Sequence, residues 1–95
     1  MSKEEIKILL VDDEKQFVDT LAERLAMRGF SARVAYDGPQ ALKAVEEPTD
    51  VIVLDLRMPG MDGFEVLRSV KKSNPKVQVI ILTGHGGDAE EQTAY

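Results

Sequence analysis

Cysteine is absent from the chain, which excludes a disulfide framework and a thiolate metal site. A basic surplus is missing too. Seventeen acidic residues against 12 basic ones give a formal charge of −5, which leaves nothing to neutralise a run of phosphates and argues against direct nucleic-acid binding by this chain. No apolar run approaches the roughly 20 residues needed to span a bilayer, so no membrane partner is expected. The opening Met1-Ser2-Lys3-Glu4-Glu5 lacks the apolar core of a signal peptide, and the expected location is the cytoplasm. What remains is 95 residues with 43% apolar content and no low-complexity tract, enough for one small core and too little for a second domain. The acidity asks for a cation or a basic partner.

Short apolar runs alternate with helical patterns. Ile6-Lys7-Ile8-Leu9-Leu10-Val11 reads as a strand buried on both faces that emerges at Asp12 and Asp13. From Glu14 the apolar positions Phe17, Val18, Leu21, Ala22, Leu25 and Ala26 recur at helical spacing, and Gly29 is the stop signal. Ser31 to Tyr36 gives a weaker second strand. Asp37-Gly38-Pro39 then turns the chain into a short helix that points Ala41, Leu42 and Val45 inward and ends before Pro48. Val51-Ile52-Val53-Leu54 is β-branched and too short for an ordinary helix, so it predicts a central strand closed by Asp55. After the breakers Pro59, Gly60 and Gly63, a helical stripe of Phe64, Val66, Leu67 and Val70 runs to Asn74-Pro75. Val77 to Leu82 is a fourth strand, Thr83 to Gly87 a connection, and Asp88 the cap of a last helix.

Strands separated by helices pair in parallel through crossovers, so the fold class is α/β. Sites in such sheets lie at the carboxyl ends of the strands, and three strands here end in polar residues: Asp12-Asp13, Asp55 and Thr83. Three carboxylates brought together cannot all stay ionised without compensation, and a bound cation removes that penalty. Oxygen-only ligands with positions left open for water and phosphate point to Mg²⁺. A carboxylate beside Mg²⁺ is also a nucleophile toward phosphorus, aided by hydrogen-bond donors such as the Thr83 hydroxyl.

Each of these residues also has a plainer reading. Aspartates after a strand often serve only as turn formers or caps, and Asp13 is placed to cap the first helix. Thr83 is equally a simple strand-end hydroxyl. His85 reads as solvated and Asp62 as turn chemistry, Phe17, Phe30 and Phe64 as core or helix-packing residues, and Tyr36 as ambiguous. Asp55 has the weakest plain reading, because a buried strand ending in a carboxylate is costly unless the group is paired or used.

Three blocks, Ile8-Leu9-Leu10-Val11-Asp12-Asp13-Glu14, Val53-Leu54-Asp55-Leu56-Arg57-Met58-Pro59-Gly60-Met61-Asp62-Gly63 and Ile80-Ile81-Leu82-Thr83-Gly84, closely resemble the motifs of CheY-like receiver domains of two-component response regulators. The resemblance covers the whole chain, residues 1–95. It implies a flavodoxin-like, doubly wound parallel sheet with strand order 2-1-3-4. It also implies a signalling switch, not a turnover enzyme. Asp55 would take a phosphoryl group from a sensor histidine kinase or phosphotransfer protein, and Asp12, Asp13, Asp55 and the backbone carbonyl of Arg57 would hold Mg²⁺. Thr83 would hydrogen-bond the phosphoryl group and reorient on activation, with Gly84 keeping the approach open.

Receivers continue into a fifth strand bearing a lysine, then a fifth helix, and neither is found in this sequence. Lys71, Lys72 and Lys76 are not at the strand end that lysine requires. A C-terminally incomplete receiver is therefore expected, with an apolar fourth strand at the sheet edge and a bare face beside it, both open to homodimerisation. A receiver-like docking or dimerisation module that is not phosphorylated is the alternative. A phosphatase using an aspartyl phosphate would place its two aspartates two residues apart after the first strand. A flavin carrier would want a hydroxyl- and glycine-rich loop where Asp12-Asp13-Glu14 stands.

Overall fold

The computed structural model describes residues 5–56 and 63–82. Within them the order is β1 (Lys7–Val11), α1 (Lys15–Met27), β2 (Ser31–Ala35), α2 (Gly38–Ala44), β3 (Val51–Asp55), α3 (Gly63–Ser73) and β4 (Gln78–Leu82). Every strand pairing is parallel, and the four strands form one sheet in the order β2-β1-β3-β4. This is the expected α/β, flavodoxin-like arrangement. Four strands in this order, with no fifth among the described residues, are what was expected; the helix expected after Asp88 lies in residues 83–95, outside the described residues.

Strand alternation divides the core in two. Leu9, Val11, Ile52 and Leu54 point to one face, where they meet Ala41 of α2 and Val66 and Val70 of α3. Ile8 and Leu10 point to the other, where they meet Val18, Leu21, Ala22 and Leu25 of α1. Both faces of the central strands are thus covered, as their unbroken apolar runs require.

The helix ends are closed by local chemistry. At the end of α1, Gly29 takes φ of 97°, a left-handed conformation that suits a residue without a β-carbon. The Gly29 and Phe30 amides donate to Ala26 and Leu25 carbonyls, a Schellman closure whose apolar contact joins Phe30 and Leu25 in one cluster. Asp37 caps α2 by accepting from the Gln40 amide at 2.9 Å, while Gln40 Oε1 accepts from the Tyr36 amide at 2.9 Å.

At the amino-terminal end of the sheet, Arg33 of β2 clamps the α2–β3 connection. Its guanidinium donates to the carbonyls of Ala44 (2.8 Å) and Pro48 (3.3 Å) and to Thr49 Oγ1 (2.6 Å). Of the reading of Phe17 and Phe64 as core or helix-packing residues, the structure corrects the first half. Phe17 and Phe64 are 43% and 54% exposed, because each stands at the margin of its helix's apolar stripe; Val18 and Val66 carry the contact with the sheet instead.

Candidate functional site

β1 and β3 are neighbours in register, with Val11 beside Leu54, so Asp12 and Asp55 leave the same edge of the sheet side by side. The Asp12 amide still donates to Ala35 of β2 at 3.1 Å, which carries the strand pairing one residue further. The chain then turns: Asp12 Oδ1 accepts from the Glu14 amide at 2.9 Å, a side-chain turn of the Asx type. The plain reading of Asp13 as the cap of α1 is thereby overturned, since the N-cap position belongs to Glu14 and no side chain caps it. Asp13 is left exposed on the turn, between a strand end and a helix start.

Asp12 and Asp55 are only 2% and 1% exposed. A carboxylate oxygen from each of Asp12, Asp13 and Asp55 lies within 4.8 Å of the others. A hard divalent cation coordinated by oxygens 2.0–2.1 Å away fits such a set, and one exposed member leaves room for water on the metal. The three carboxylates singled out in the sequence are therefore brought together. Arg57, Thr83, Gly84 and His85 lie outside the described residues.

No lysine of α3 serves this edge. Lys71 Nζ donates to the carbonyls of Pro75 (3.2 Å) and Val77 (2.9 Å), closing the end of α3 at the opposite end of the sheet, and Lys76 precedes β4. Sequence reasoning did miss a cluster beside the acidic residues. Tyr36, just after β2, donates its hydroxyl to Asp19 Oδ1 of α1 at 2.7 Å, and Lys15 Nζ sits 5.1 Å from the centre of its ring. The hydrogen bond to Asp19, with burial and the Asp19 charge as smaller causes, raises the Tyr36 pKa above the ordinary 10.0.

A profile described as the response regulator receiver domain matches residues 8–95. The chain belongs to that family. Receiver domains are signalling modules of two-component systems, and this receiver is 38% identical over 84 residues to the transcriptional regulatory protein CpxR of Escherichia coli K12, covering 88% of this chain and 36% of that protein. It thus spans little more than a third of that relative's length. Among solved structures, a Burkholderia pseudomallei response regulator with a phosphorylated aspartic acid, calcium ion and citrate superposes with a TM-score of 0.80 at 29% identity, covering 85% of this receiver and 48% of that chain. The Thermotoga maritima response regulator TrrA, in complex with Mg²⁺-BeF, gives a TM-score of 0.76 at 34% identity, covering 84% and 70%. No helix among the described residues is long and apolar enough to cross a membrane.

Proposed function

We propose that this receiver is a phosphoacceptor switch in which Asp55 takes a phosphoryl group from a phosphohistidine of a sensor kinase or phosphotransfer protein. The observation that carries the proposal is the convergence of Asp12, Asp13 and Asp55 at the carboxyl ends of adjacent parallel strands. A carboxylate oxygen of Asp55 forms the new bond to phosphorus as the bond from phosphorus to the imidazole nitrogen breaks, and the leaving imidazole keeps the bonding electron pair. Asp12, Asp13 and Asp55, with the Arg57 carbonyl, would hold Mg²⁺, which supplies positive charge to the phosphoryl oxygens when bound. Asp55 stands at the end of β3 and is 1% exposed, so the strand would hold its carboxylate toward the incoming phosphorus and burial would limit the access of bulk water. Thr83 is the hydroxyl assigned to the phosphoryl group. A net charge of −5 supports a protein partner, not a nucleic acid, for this chain.

Intact-mass analysis after incubation with a small acyl phosphate tests this. The expected result is a single phosphate adduct that requires Mg²⁺ and is lost in Asp55→Asn. An adduct that persists in Asp55→Asn, or none on folded protein, overturns it.

One observation favours a second reading, a docking or dimerising module. Among the described residues β4 is an edge strand whose sequence QVIIL carries no charge, and Ile80 on it is 47% exposed, the kind of edge that invites strand pairing. A mass by light scattering that rises with concentration, and falls to the monomer in Ile80→Lys, is its expected signature; a constant monomer mass removes it.

A further inference from the structure

We infer that Tyr36 is a positioning residue for the metal side of the acidic site, acting through Asp19 and Lys15 to hold the start of α1 against the carboxyl end of β2. The inference rests on the phosphoacceptor reading and deepens it.

The start of α1 is not closed by a side-chain cap: its N-cap residue Glu14 makes no such bond, and its only fully buried residue, Val18, comes a turn after the helix begins. The bond that closes the turn uses Asp12 Oδ1 itself, a carboxylate the metal would also engage. Asp13 lies between these two points, so wherever the first turn of α1 goes its carboxylate follows.

Tyr36 reaches this turn from a fixed base. It follows Ala35, which is buried and accepts a hydrogen bond from the Asp12 amide, and it packs, partly buried, against the α1-side cluster of Ile8, Leu10 and Val18. From there it makes two different contacts with one helical face: the hydroxyl donates to Asp19, and the ring faces Lys15. Lys15 and Asp19 are four residues apart and so stand one above the other. Tyr36 therefore brackets the first turn of α1 on the side away from β3. An isolated surface pair has little positional force, but a side chain packed against an apolar cluster with its hydroxyl and its ring face both engaged is restrained along more than one direction.

Calorimetric Mg²⁺ titration of the 95-residue chain, with amide hydrogen exchange at Asp13, Glu14 and Val18, tests the assignment. Tyr36→Ala is expected to weaken Mg²⁺ binding about three- to tenfold, less than the 10–100-fold typical when a group bonded directly to a metal ligand is removed. It should also speed exchange at Glu14. Asp19→Ala should follow Tyr36→Ala in part, and Asp19→Asn should restore binding, because its amide oxygen still accepts from the Tyr36 hydroxyl. Arg33→Ala, which loosens the opposite end of the sheet, should leave Mg²⁺ affinity unchanged. Unaltered Mg²⁺ affinity in Tyr36→Ala overturns the assignment, as does an equal loss in Arg33→Ala. If the wild type takes no Mg²⁺, the phosphoacceptor reading fails and the metal-positioning role of Tyr36 falls with it; faster exchange at Glu14 in Tyr36→Ala then shows only that Tyr36 holds the start of α1, and unchanged exchange removes that contact's role as well.

Discussion

Gly63, the first residue of α3, lies so close to Leu56 that a β-carbon on it would fall 2.8 Å from the Leu56 Cα and 2.6 Å from its Cδ2. The backbone atom cannot yield as a flexible side chain would, and Leu56 is bonded directly to Asp55. Gly63→Ala is therefore expected to lose about 1–3 kcal/mol of stability, the usual range for overpacking, and to slow phosphorylation at Asp55. Urea unfolding and the rate of adduct formation check the two effects separately. Unchanged stability would show that Gly63 and Leu56 can move apart at little cost.

Removing the Arg33 clamp should act on stability alone. Arg33→Ala deletes three hydrogen bonds and strips a partner from Thr49, which is only 8% exposed. A loss of about 2–3 kcal/mol is expected, read as a lower urea midpoint at unchanged slope. Arg33→Lys should recover only part of it, because one ammonium cannot span the same acceptors as a planar fork.

Mg²⁺ should stabilise the folded chain by linkage. At a concentration a hundred times its Kd the expected gain is about 2.7 kcal/mol, seen as a higher thermal midpoint that a chelator reverses. Asp13→Asn removes one carboxylate from the crowded trio, so its metal-free midpoint should rise while its response to Mg²⁺ shrinks. A lower metal-free midpoint would mean that charge crowding is not the dominant cost at this site.

Tyr36 gives a pH-dependent signature with a definite sign. Its pKa is raised in the folded chain by the bond to Asp19, so folding favours the neutral phenol. The stability it contributes is fully present below the unfolded value near 10.0 and is lost as pH rises through the higher folded value. Ultraviolet titration, taken as the difference between wild type and Tyr36→Phe, should place its ionisation above 10.0. A midpoint at or below that value would mean the bond to Asp19 does not persist in solution.

Much of this was legible in the sequence because strand chemistry is coarse. A run such as Val51-Ile52-Val53-Leu54 fits only the middle of a buried sheet, and parallel order then brings Asp12 and Asp55 to one edge. Helix faces were less legible. The spacing in α1 predicts an inward stripe from Phe17 to Ala26, yet only Val18 is fully buried, since periodicity tells which side is apolar and not how wide the neighbour beneath it is. The Arg33 clamp left no trace, because backbone carbonyls are among its acceptors and every residue has one. Tyr36 was ambiguous for a similar reason: its partners lie on the preceding helix, and nothing in the local sequence points to them.

The parallel order of the sheet also has a consequence for how the domain forms. Asp12 and Asp55 stand on adjacent strands, yet the whole α1–β2–α2 excursion separates them along the chain. β1, α1 and β2 can assemble as a unit of comparatively local contacts, whereas the acidic trio comes into existence only when β3 docks beside β1. Ion binding thus belongs to the most topologically distant step. If that docking follows the rate-limiting barrier, Mg²⁺ lengthens the lifetime of the folded chain by slowing its unfolding and leaves the speed of its formation unchanged.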